Sequence, residues 1–505
     1  MSIVCKYVGQ VAAREIHQQN NTSVPLIAMG GLLSLVYSTA SDAYITVTRS
    51  MTDAPASRLS QCIKTGSYWK LDEDEALQLL AKAFEPEFKA LLNSPAAAEQ
   101  QAASASGNAT SNTRPSMRLF GQVSDEIDRT ITGVLCMKWV LNGDYEHFTQ
   151  GQDPKLRMSR ASFDKIQELS RETLRTPEDM FEVLTATVVN DLGKDTTLAA
   201  RVEQATGKSM LKQNHDVVLY GAVKADLVSC MHDLNAEQRD CLIIGLKMGS
   251  RLNLGQLAQA ENVPGSLDVM IELKGHEHAF ELKFLEQLFD VAGAAGHVDA
   301  TCSKSMIEPV FQAFMAVHKV LSDILHDRSS PREAYDEVLT QRADIIANAG
   351  YRRLTVKNPG DRALLRLMTM GRTASKDQAA WFEKAFNLLS SGIREDLVKG
   401  LSVDGWKDGK AILPYYMPAL LQAGLKNTKD ESASAKSNAL ASMMRFLTKI
   451  LAGTYPAADT EGLVVEHDLL FAKETIVSPE FKMDPLVLDA LPIKNTPTAS
   501  TGLKI

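Results

Sequence analysis

Cysteine, aromatic residues and long apolar runs are all scarce in this sequence, and each shortage excludes a class of protein. The 505 residues include six cysteines, at positions 5, 62, 136, 230, 241 and 302, and no two of them form a Cys-x-x-Cys pair. With no recognisable signal peptide, we expect reduced thiols in a reducing compartment. The longest apolar run covers residues 24–37, which is shorter than the roughly 20 residues that cross a membrane. The sequence therefore predicts a soluble intracellular protein without a membrane span.

Basic residues are also fewer than acidic residues. The chain has 54 lysines and arginines against 62 acidic residues, a formal net charge of −8, and a pI near 5.8. A protein coated all over with basic residues for nucleic acid is therefore excluded, but a local basic groove is not. Aromatic residues make up only 6%, whereas alanine, leucine and methionine are common, which favours a mainly α-helical fold. At about 100–200 residues per domain, the length predicts two to four domains.

Signals for helix starts and stops follow one another from residue 125 onward. Residues 176–179 read Thr-Pro-Glu-Asp, which is an N-cap, a proline at the first helical position and two acids in the first turn. Residues 330–333 read Ser-Pro-Arg-Glu, a capping box with proline at the first position, and that helix is expected to stop at Gly350. Before this region, residues 41–48 alternate well enough to predict a short strand.

Two segments lack any helical period. Residues 94–116 are rich in alanine and serine, with one glutamate, one arginine and no aromatic residue, and predict a flexible insertion. Residues 454–505 are rich in proline and acidic residues and predict a flexible acidic tail.

No motif for catalysis or metal binding stands out. Residues 405–410 (GWKDGK) resemble a phosphate-binding loop but lack the Walker spacing, so a surface turn is the competing interpretation. His276, Glu277 and His278 with Glu281 form the one metal-like cluster, but no third ligand lies nearby on the face that the two histidines would share, and a polar surface is the alternative. We therefore predict no enzyme, no catalytic residue, no metal and no cofactor.

Two segments are far more basic than the rest of the chain. Residues 155–175 hold six basic residues against three acids, and residues 351–376 hold seven against Asp361 alone. Lysine and arginine on one surface are what binding to a phosphate backbone requires, and no base recognition is implied. The alternative is that both are ordinary solvated helix faces.

The order of several segments resembles one protein family. The chain is similar to the nucleoproteins of the mononegaviruses, the non-segmented negative-strand RNA viruses, and in particular to the paramyxovirus and pneumovirus kind. The segments that carry the resemblance are the apolar and β-like stretch at 24–63, the apolar helix at 131–141, the basic helix at 155–175 followed by 180–189, and AGYRRL at 349–354 with Asn358-Pro359 and ALLRL at 363–367.

The resemblance implies a specific architecture. It implies a mainly α fold with two helical lobes, a basic RNA groove between them, exchange arms at both ends and the flexible acidic tail. The implied segments are an N-terminal arm (1–22), an N-terminal lobe (23–245), a C-terminal lobe (246–428), a C-terminal arm (429–453) and the tail (454–505). The implied RNA-binding residues are Lys155, Arg157, Arg160 and Lys165 on the N-lobe wall, Arg352, Arg353, Lys357, Arg362 and Arg366 on the C-lobe wall, and Tyr351 against a base or ribose.

The resemblance also implies a function. The protein would encapsidate single-stranded genomic RNA without sequence specificity and would self-assemble into a helical nucleocapsid that serves as polymerase template. Its partners would be RNA, other copies of itself, a viral phosphoprotein and a polymerase, in the virion and in the host cytoplasm or nucleus. A helical capsid or scaffold protein that assembles without RNA is the main alternative, and an enzyme of helical fold is a third.

Overall fold

The computed structural model describes residues 55–94, 114–210, 213–406, 409–453 and 464–493, together with the backbone of 499–500. These residues are mainly helical, which confirms the fold class that the composition predicts. None of the described helices is both long and apolar enough to cross a membrane. The expected N-terminal arm, the apolar run at 24–37, the strand at 41–48 and most of the 94–116 insertion lie outside the described residues.

The first half of the described chain consists of helices joined by short connections. In chain order they are α1 (Pro55–Lys64), α2 (Glu73–Ala83), α3 (Glu85–Leu91), α4 (Pro115–Phe120), α5 (Asp125–Asn142), α6 (Tyr145–Thr149), α7 (Arg160–Thr173), α8 (Pro177–Val189), α9 (Leu198–Thr206), α10 (His215–Lys224) and α11 (Ala236–Gly249). Short 3-10 turns lie between several of them, including Leu192–Lys194.

The second half adds more helices and a small sheet. It contains α12 (Leu254–Ala258), α13 (Val269–Glu272), α14 (Glu277–Gly293), α15 (Glu308–Leu325), α16 (Pro331–Asn348), α17 (Pro359–Met370), α18 (Lys376–Leu388), α19 (Ser391–Ser402), β1 (Ala411–Tyr415), α20 (Met417–Lys426), α21 (Ala433–Leu451), β2 (Val464–Asp468), α22 (Lys473–Ile476), α23 (Pro479–Met483) and β3 (Ala499–Ser500).

The predicted helix caps are present. Thr176 and Asp179 form a reciprocal capping box at the start of α8, and Ser330 and Glu333 form another at the start of α16. Each box satisfies two backbone donors that a helix start otherwise leaves unpaired. Gly350, which follows α16, has a φ of 88°, the left-handed conformation expected of a helix stop.

Helices α5 and α14 cross at the centre of the molecule with their backbones almost in contact. A Cβ atom placed on Gly293 would lie 2.4 Å from the Arg129 carbonyl oxygen and from the Gly133 nitrogen. Only glycine fits there, because real Cβ atoms do not approach backbone so closely. Helices α8 and α11 also pack on α14.

A three-stranded sheet joins distant parts of the chain. Strand β1 pairs in parallel with β2, from Ala411 opposite Val464 to Tyr415 opposite Asp468, and β2 pairs antiparallel with β3. Neither β1 nor β2 was predicted from the sequence. The signal was the short apolar run AILPY at 411–415, which is typical of a buried strand but has no period that distinguishes it from a helix.

The prediction of a flexible tail at 454–505 is wrong for residues 464–493. This segment forms β2, α22 and α23, and it buries Val465, Leu469, Ile476, Phe481 and Leu488 in the main core. Val477, Met483 and Leu486 of the same segment stay exposed, so only part of its apolar surface packs on the core. The segment is nevertheless part of the folded protein.

The prediction of a C-terminal exchange arm at 429–453 is also wrong for this structure. Helix α21 occupies that segment and packs against α18 and α19 of its own chain. Its inward side chains, among them Leu440, Met443, Phe446 and Leu447, have less than 2% of their surface exposed. A helix buried to this degree contributes to the core and is not free to dock on a neighbouring subunit.

Most buried apolar side chains of the described residues form one connected hydrophobic core, beside a small second cluster of Val263, Ala411, Leu413 and Val464. The main core extends from Leu59 to Leu488 and includes side chains from both expected lobes. The expected lobe boundary at 245–246 falls inside α11, which packs on α14. The 94–116 insertion ends earlier than expected, because Pro115 and Ser116 are buried at the start of α4.

Candidate functional site

The first predicted basic segment lies at the start of α7. Lys155 and Arg160 are exposed and Arg157 is half-buried. Arg160 forms a 2.8 Å ion pair with Asp164 on the same helix. Lys165 forms a 2.7 Å pair with Glu168, also on the same helix. Such exposed pairs within a helix are worth less than about 1 kcal/mol, so a phosphate can compete for these cations.

The second basic segment follows α16, and several of its side chains bind carboxylates of the same chain. The Tyr351 hydroxyl donates to Glu383 at 2.5 Å, and burial together with this carboxylate raises the pKa of the phenol. The Arg352 guanidinium contacts both Glu383, at 2.7 Å, and Asp361, at 3.1 Å. Arg353 is two-thirds exposed and pairs with Asp344 at 2.5 Å. Lys357 is exposed and has no ion pair with any described residue.

Arg362 and Arg366 do not belong to a groove wall, which corrects the expectation. Their side chains are 3% and 1% exposed. Arg362 donates to Asp336 at 2.7 Å. Arg366 donates to the carbonyl oxygens of Ala260, Glu261, Asn262 and Leu401 at 3.0–3.4 Å. Both are structural residues, because no phosphate can reach them.

A hairpin formed by helices α15 and α16 indicates where the two basic segments lie relative to each other. Helices α15 and α16 have 18 residues each, so both are about 27 Å long. The short connection at 326–330 makes them antiparallel, and the end of α16 therefore lies level with the start of α15.

The start of α15 holds the first basic segment in place. The Glu308 carboxylate accepts from the Ser159 backbone N–H and the Ser162 hydroxyl, both at 2.8 Å. The Glu308 N–H donates to the Leu156 carbonyl oxygen at 2.9 Å. Since Arg353 pairs with Asp344 in the last turns of α16, both basic segments lie at this end of the hairpin.

Lys357 is the exception among the exposed residues. It comes just before α17, and the first turn of α17 contacts the other end of α16 through the pair between Arg362 and Asp336. The hairpin geometry therefore relates Tyr351, Arg352 and Arg353 to the end where Lys155, Arg157 and Arg160 lie, whereas Lys357 is assigned to neither end, because the first turn of α17 also pairs with Arg352 through Asp361.

A polar cavity of about 440 Å³ lies elsewhere, between the central helices and the end of β1. Its charged wall consists of Arg129, Asp191, Lys194, Asp216, Lys283 and Asp290. These side chains come from α5, the 3-10 turn at 192–194 and the residue before it, α10 and α14. A cavity of this size takes a small molecule, and a wall with so many charges is unusual in a helical core.

Close backbone packing holds this wall in place. Gly193 lies in the 3-10 turn between Asp191 and Lys194, where a Cβ atom would come within 1.9 Å of the His215 carbonyl oxygen. The turn can therefore sit directly against the start of α10, which carries His215 and Asp216. At the opposite side, Tyr416 has a φ of 81°, and its N–H donates to the Glu261 carboxylate at 2.5 Å.

The cations of the cavity each have a carboxylate partner. Lys194 lies 2.8 Å from Asp191 and 2.9 Å from Glu126. Lys283 lies 2.6 Å from Glu286. Arg129 contacts Glu126 at 3.4 Å, although its Nε has no hydrogen-bond partner.

The carboxylates differ in how easily they keep their charge. Burial would raise the pKa of Asp191, but Lys194 and other neighbours lower it well below its ordinary value, so Asp191 is ionised. Burial raises the pKa of Glu286 to about 7, although Lys283 opposes the shift. Burial, with the negative charge of Asp191, also raises the pKa of Asp290.

The other sequence candidates do not come together as a site. His278 contacts Asp179 at 2.9 Å across a helix pair, and His276 and Glu281 join no common metal site. Across the described residues, no three histidine, cysteine or acidic side chains are grouped so as to hold a metal ion. The glycine-containing turn at 405–410 falls partly outside the described residues.

Sequence reasoning missed the cavity because its residues are spread from position 129 to position 470. The local signal was charge inside apolar helices, such as Arg129 beside ITGVLCMKWVL and Lys283 within AFELKFLEQLF. A buried charge needs a partner, so the sequence marks each of these positions as unusual. It does not show that their side chains line the same cavity.

Comparisons with known proteins return one family and no relative of known activity. The model of a family of unknown function (DUF6829) matches residues 77–488. No curated protein and no solved structure matches the chain.

Proposed function

The chain belongs to the DUF6829 family of unknown function, and we propose that it is a nucleoprotein that binds single-stranded RNA through the phosphate backbone and coats it by self-assembly. What supports the proposal is the antiparallel packing of the α15–α16 hairpin, from which we infer that the two basic segments lie at the same end. Lys155, Arg160 and Arg353 are all exposed there. The resemblance of the sequence to mononegavirus nucleoproteins supports the same function.

Electrostatics favour this surface for a polyanion. The chain as a whole is acidic, so RNA is repelled from most of the surface and attracted where cations are concentrated. The carboxylates that pair with Arg160 and Arg353 are at least 45% exposed, so exchanging them for phosphate costs little. A genome coat must accept every sequence, and contacts with the backbone provide this.

The proposed function also implies binding partners. They are single-stranded RNA, further copies of this chain, and a viral phosphoprotein and polymerase that use the coated RNA. The site of action would be the virion nucleocapsid and the host cytoplasm or nucleus.

One observation favours the scaffold alternative, in which copies assemble without RNA. Leu156 and Ile345 are 43% and 46% exposed, and both lie at the same end of the hairpin as the basic segments. Exposed apolar side chains near each other are typical of protein contacts. Assembly that persists after complete removal of RNA would favour this second function.

The first test is whether RNA accompanies the purified protein. We expect a high ratio of absorbance at 260 nm to that at 280 nm, which falls after RNase in high salt, and rings or filaments in electron micrographs. RNA-free protein should assemble when a single-stranded homopolymer is added. A protein that neither carries RNA nor responds to it would contradict the proposal.

The second test removes charge from the proposed surface. In a triple variant, Lys155→Ala, Arg160→Ala and Arg353→Ala, each lost phosphate contact should reduce the slope of log K against log salt by about 0.7, or roughly 2 in total. The measurement is fluorescence anisotropy with oligo(U) and oligo(A) over a salt series.

A matched control removes three exposed lysines elsewhere, at positions 208, 224 and 399, which have no ion pair with described residues. It keeps the same net charge as the triple variant. An equal loss of affinity in both variants would mean that RNA responds to net charge alone, and the surface would be misassigned.

A further inference from the structure

The polar cavity holds more negative than positive charge. Around it lie five carboxylates against three lysine and arginine side chains. The carboxylates are Glu126, Asp191, Asp216, Glu286 and Asp290, and the cations are Arg129, Lys194 and Lys283. His215 also lines the cavity, 3.8 Å from Asp191. With all five carboxylates ionised, the cavity carries two more negative than positive charges.

The excess charge can be assigned to particular residues. Each of the three cations lies within 3.5 Å of a carboxylate, and these partners are Glu126, Asp191 and Glu286. Asp290 accepts no hydrogen bond and has no ion pair with any described residue. Asp216 has only its neighbour His215, at 3.7 Å. Both unpaired carboxylates face the cavity.

Both carboxylates are half-buried, so each has lost part of its water without gaining a close hydrogen-bond partner, although Arg129, Lys194 and Lys283 act on Asp290 from a longer distance. The cavity offers the space to supply that partner. A metal ion is a poor fit, because the described carboxylates are not grouped in threes that could ligate one. An organic cation fits better, since the rings of Tyr415 and Tyr416 also line the wall and aromatic rings attract ammonium groups.

We propose that this cavity binds a small aliphatic diamine or polyamine, whose ammonium groups pair with Asp216 and Asp290. The inference goes beyond the proposed RNA-coating function and does not rest on it. A linear diamine can place one ammonium group near each carboxylate and its methylene chain against the apolar wall formed by Leu252 and Leu470.

Protons compete with the amine for the same carboxylates. Glu286 holds its proton up to about pH 7, and Asp290 holds one above its ordinary range. The groups that face them are Glu126 and Arg129 on α5, Asp191 and Lys194 on the 3-10 turn, His215 and Asp216 on α10, and Lys283 on α14. Below pH 7 a proton on Glu286 makes the cavity less negative, so affinity for an amine should fall.

The experiment is calorimetric titration of the full chain, freed of RNA by RNase and high salt, with putrescine (1,4-diaminobutane). Removing RNA first is essential, because polyamines also bind RNA. We expect saturable binding at pH 8 that weakens several-fold at pH 6. The neutral analogue 1,4-butanediol and the anionic analogue succinate should not bind.

The variants Asp290→Asn and Asp216→Asn should each weaken putrescine binding about tenfold, the effect of losing one buried charge pair. Asp396→Asn is the matched control, because Asp396 is exposed and has no ion pair with a described residue. It should bind putrescine as the unmodified chain does.

The melting temperature of each variant distinguishes a ligand site from a structural role. Without ligand, Asp290→Asn should melt at the same or a higher temperature, because Asp290 has no hydrogen bond or ion pair with a described residue to lose. A lower melting temperature would show that Asp290 has a structural partner, and the proposal would be wrong. Absence of putrescine binding, preference for succinate, or unchanged affinity in both variants would also overturn it.

Discussion

Replacing Arg366 with alanine is expected to destabilise the fold and not merely to remove a positive charge. The guanidinium donates to four backbone carbonyl oxygens and lies 5.7 Å above the Tyr335 ring. These carbonyls belong to two separate stretches, residues 260–262 and Leu401. The side chain therefore ties together two stretches of the chain that lie far apart in sequence.

The magnitude follows from the number of bonds. A hydrogen bond to a charged group contributes about 1.5–3 kcal/mol, and each buried carbonyl left unpaired costs about 1–3 kcal/mol. Because alanine leaves room for some relaxation, we expect Arg366→Ala to cost about 3–5 kcal/mol, the range found when one partner of a buried charge interaction is removed. Arg366→Lys should be intermediate, since a lysine cannot reproduce the planar fork.

The assay is urea unfolding followed by circular dichroism, with RNA retention measured on the same samples. Arg353→Ala is the control, because its side chain is mostly exposed and such a change should stay within about 0.5 kcal/mol. A midpoint for Arg366→Ala equal to that of Arg353→Ala, with loss of RNA alone, would refute the structural role of Arg366 and restore it to the RNA surface.

Three further outcomes are expected. Deleting residues 464–505 should leave insoluble or unfolded protein in a thermal melt, because strand β2 and its core residues are removed; a normal melt would contradict this. Gly293→Ala should lower stability by about 1–3 kcal/mol through overpacking at the α5–α14 crossing, whereas Gly392→Ala, whose Cβ meets no atom within 4 Å, should raise it by about 0.5–1 kcal/mol; equal melting temperatures would refute the crossing. Burial raises the pKa of the Glu182 carboxyl to about 8, against an ordinary value of 4.5 that we take for the unfolded chain. The folded protein therefore keeps a proton that the unfolded chain loses, so this contribution to stability is fully present below about pH 4.5 and is lost as the pH rises to about 8. Glu182→Gln should therefore lose less stability between pH 5 and pH 8, and an unchanged pH profile of the melting temperature would contradict this.

Local chemistry in the sequence determined where helices start and stop. The capping boxes at Thr176 and Ser330 and the glycine at 350 are complete within four or five residues. Their hydrogen bonds form between neighbours in the chain, so they do not depend on the rest of the fold. The composition fixed the helical class for the same reason, because helix propensity is a property of individual residues.

Only the tertiary structure decided which charges are exposed and which are buried. Arg353 and Arg366 stand in the same basic segment and look alike in sequence, yet one is two-thirds exposed and the other is 1% exposed. The difference arises because α17 packs on α16 and on residues 260–262, which lie about a hundred positions away. Tertiary contacts also decide the pairing of β1 with β2. They likewise bring together at one cavity Arg129, Lys194 and Asp290. Such contacts depend on chain segments that no local pattern relates, and they set the surface and the cavity on which both proposals rest.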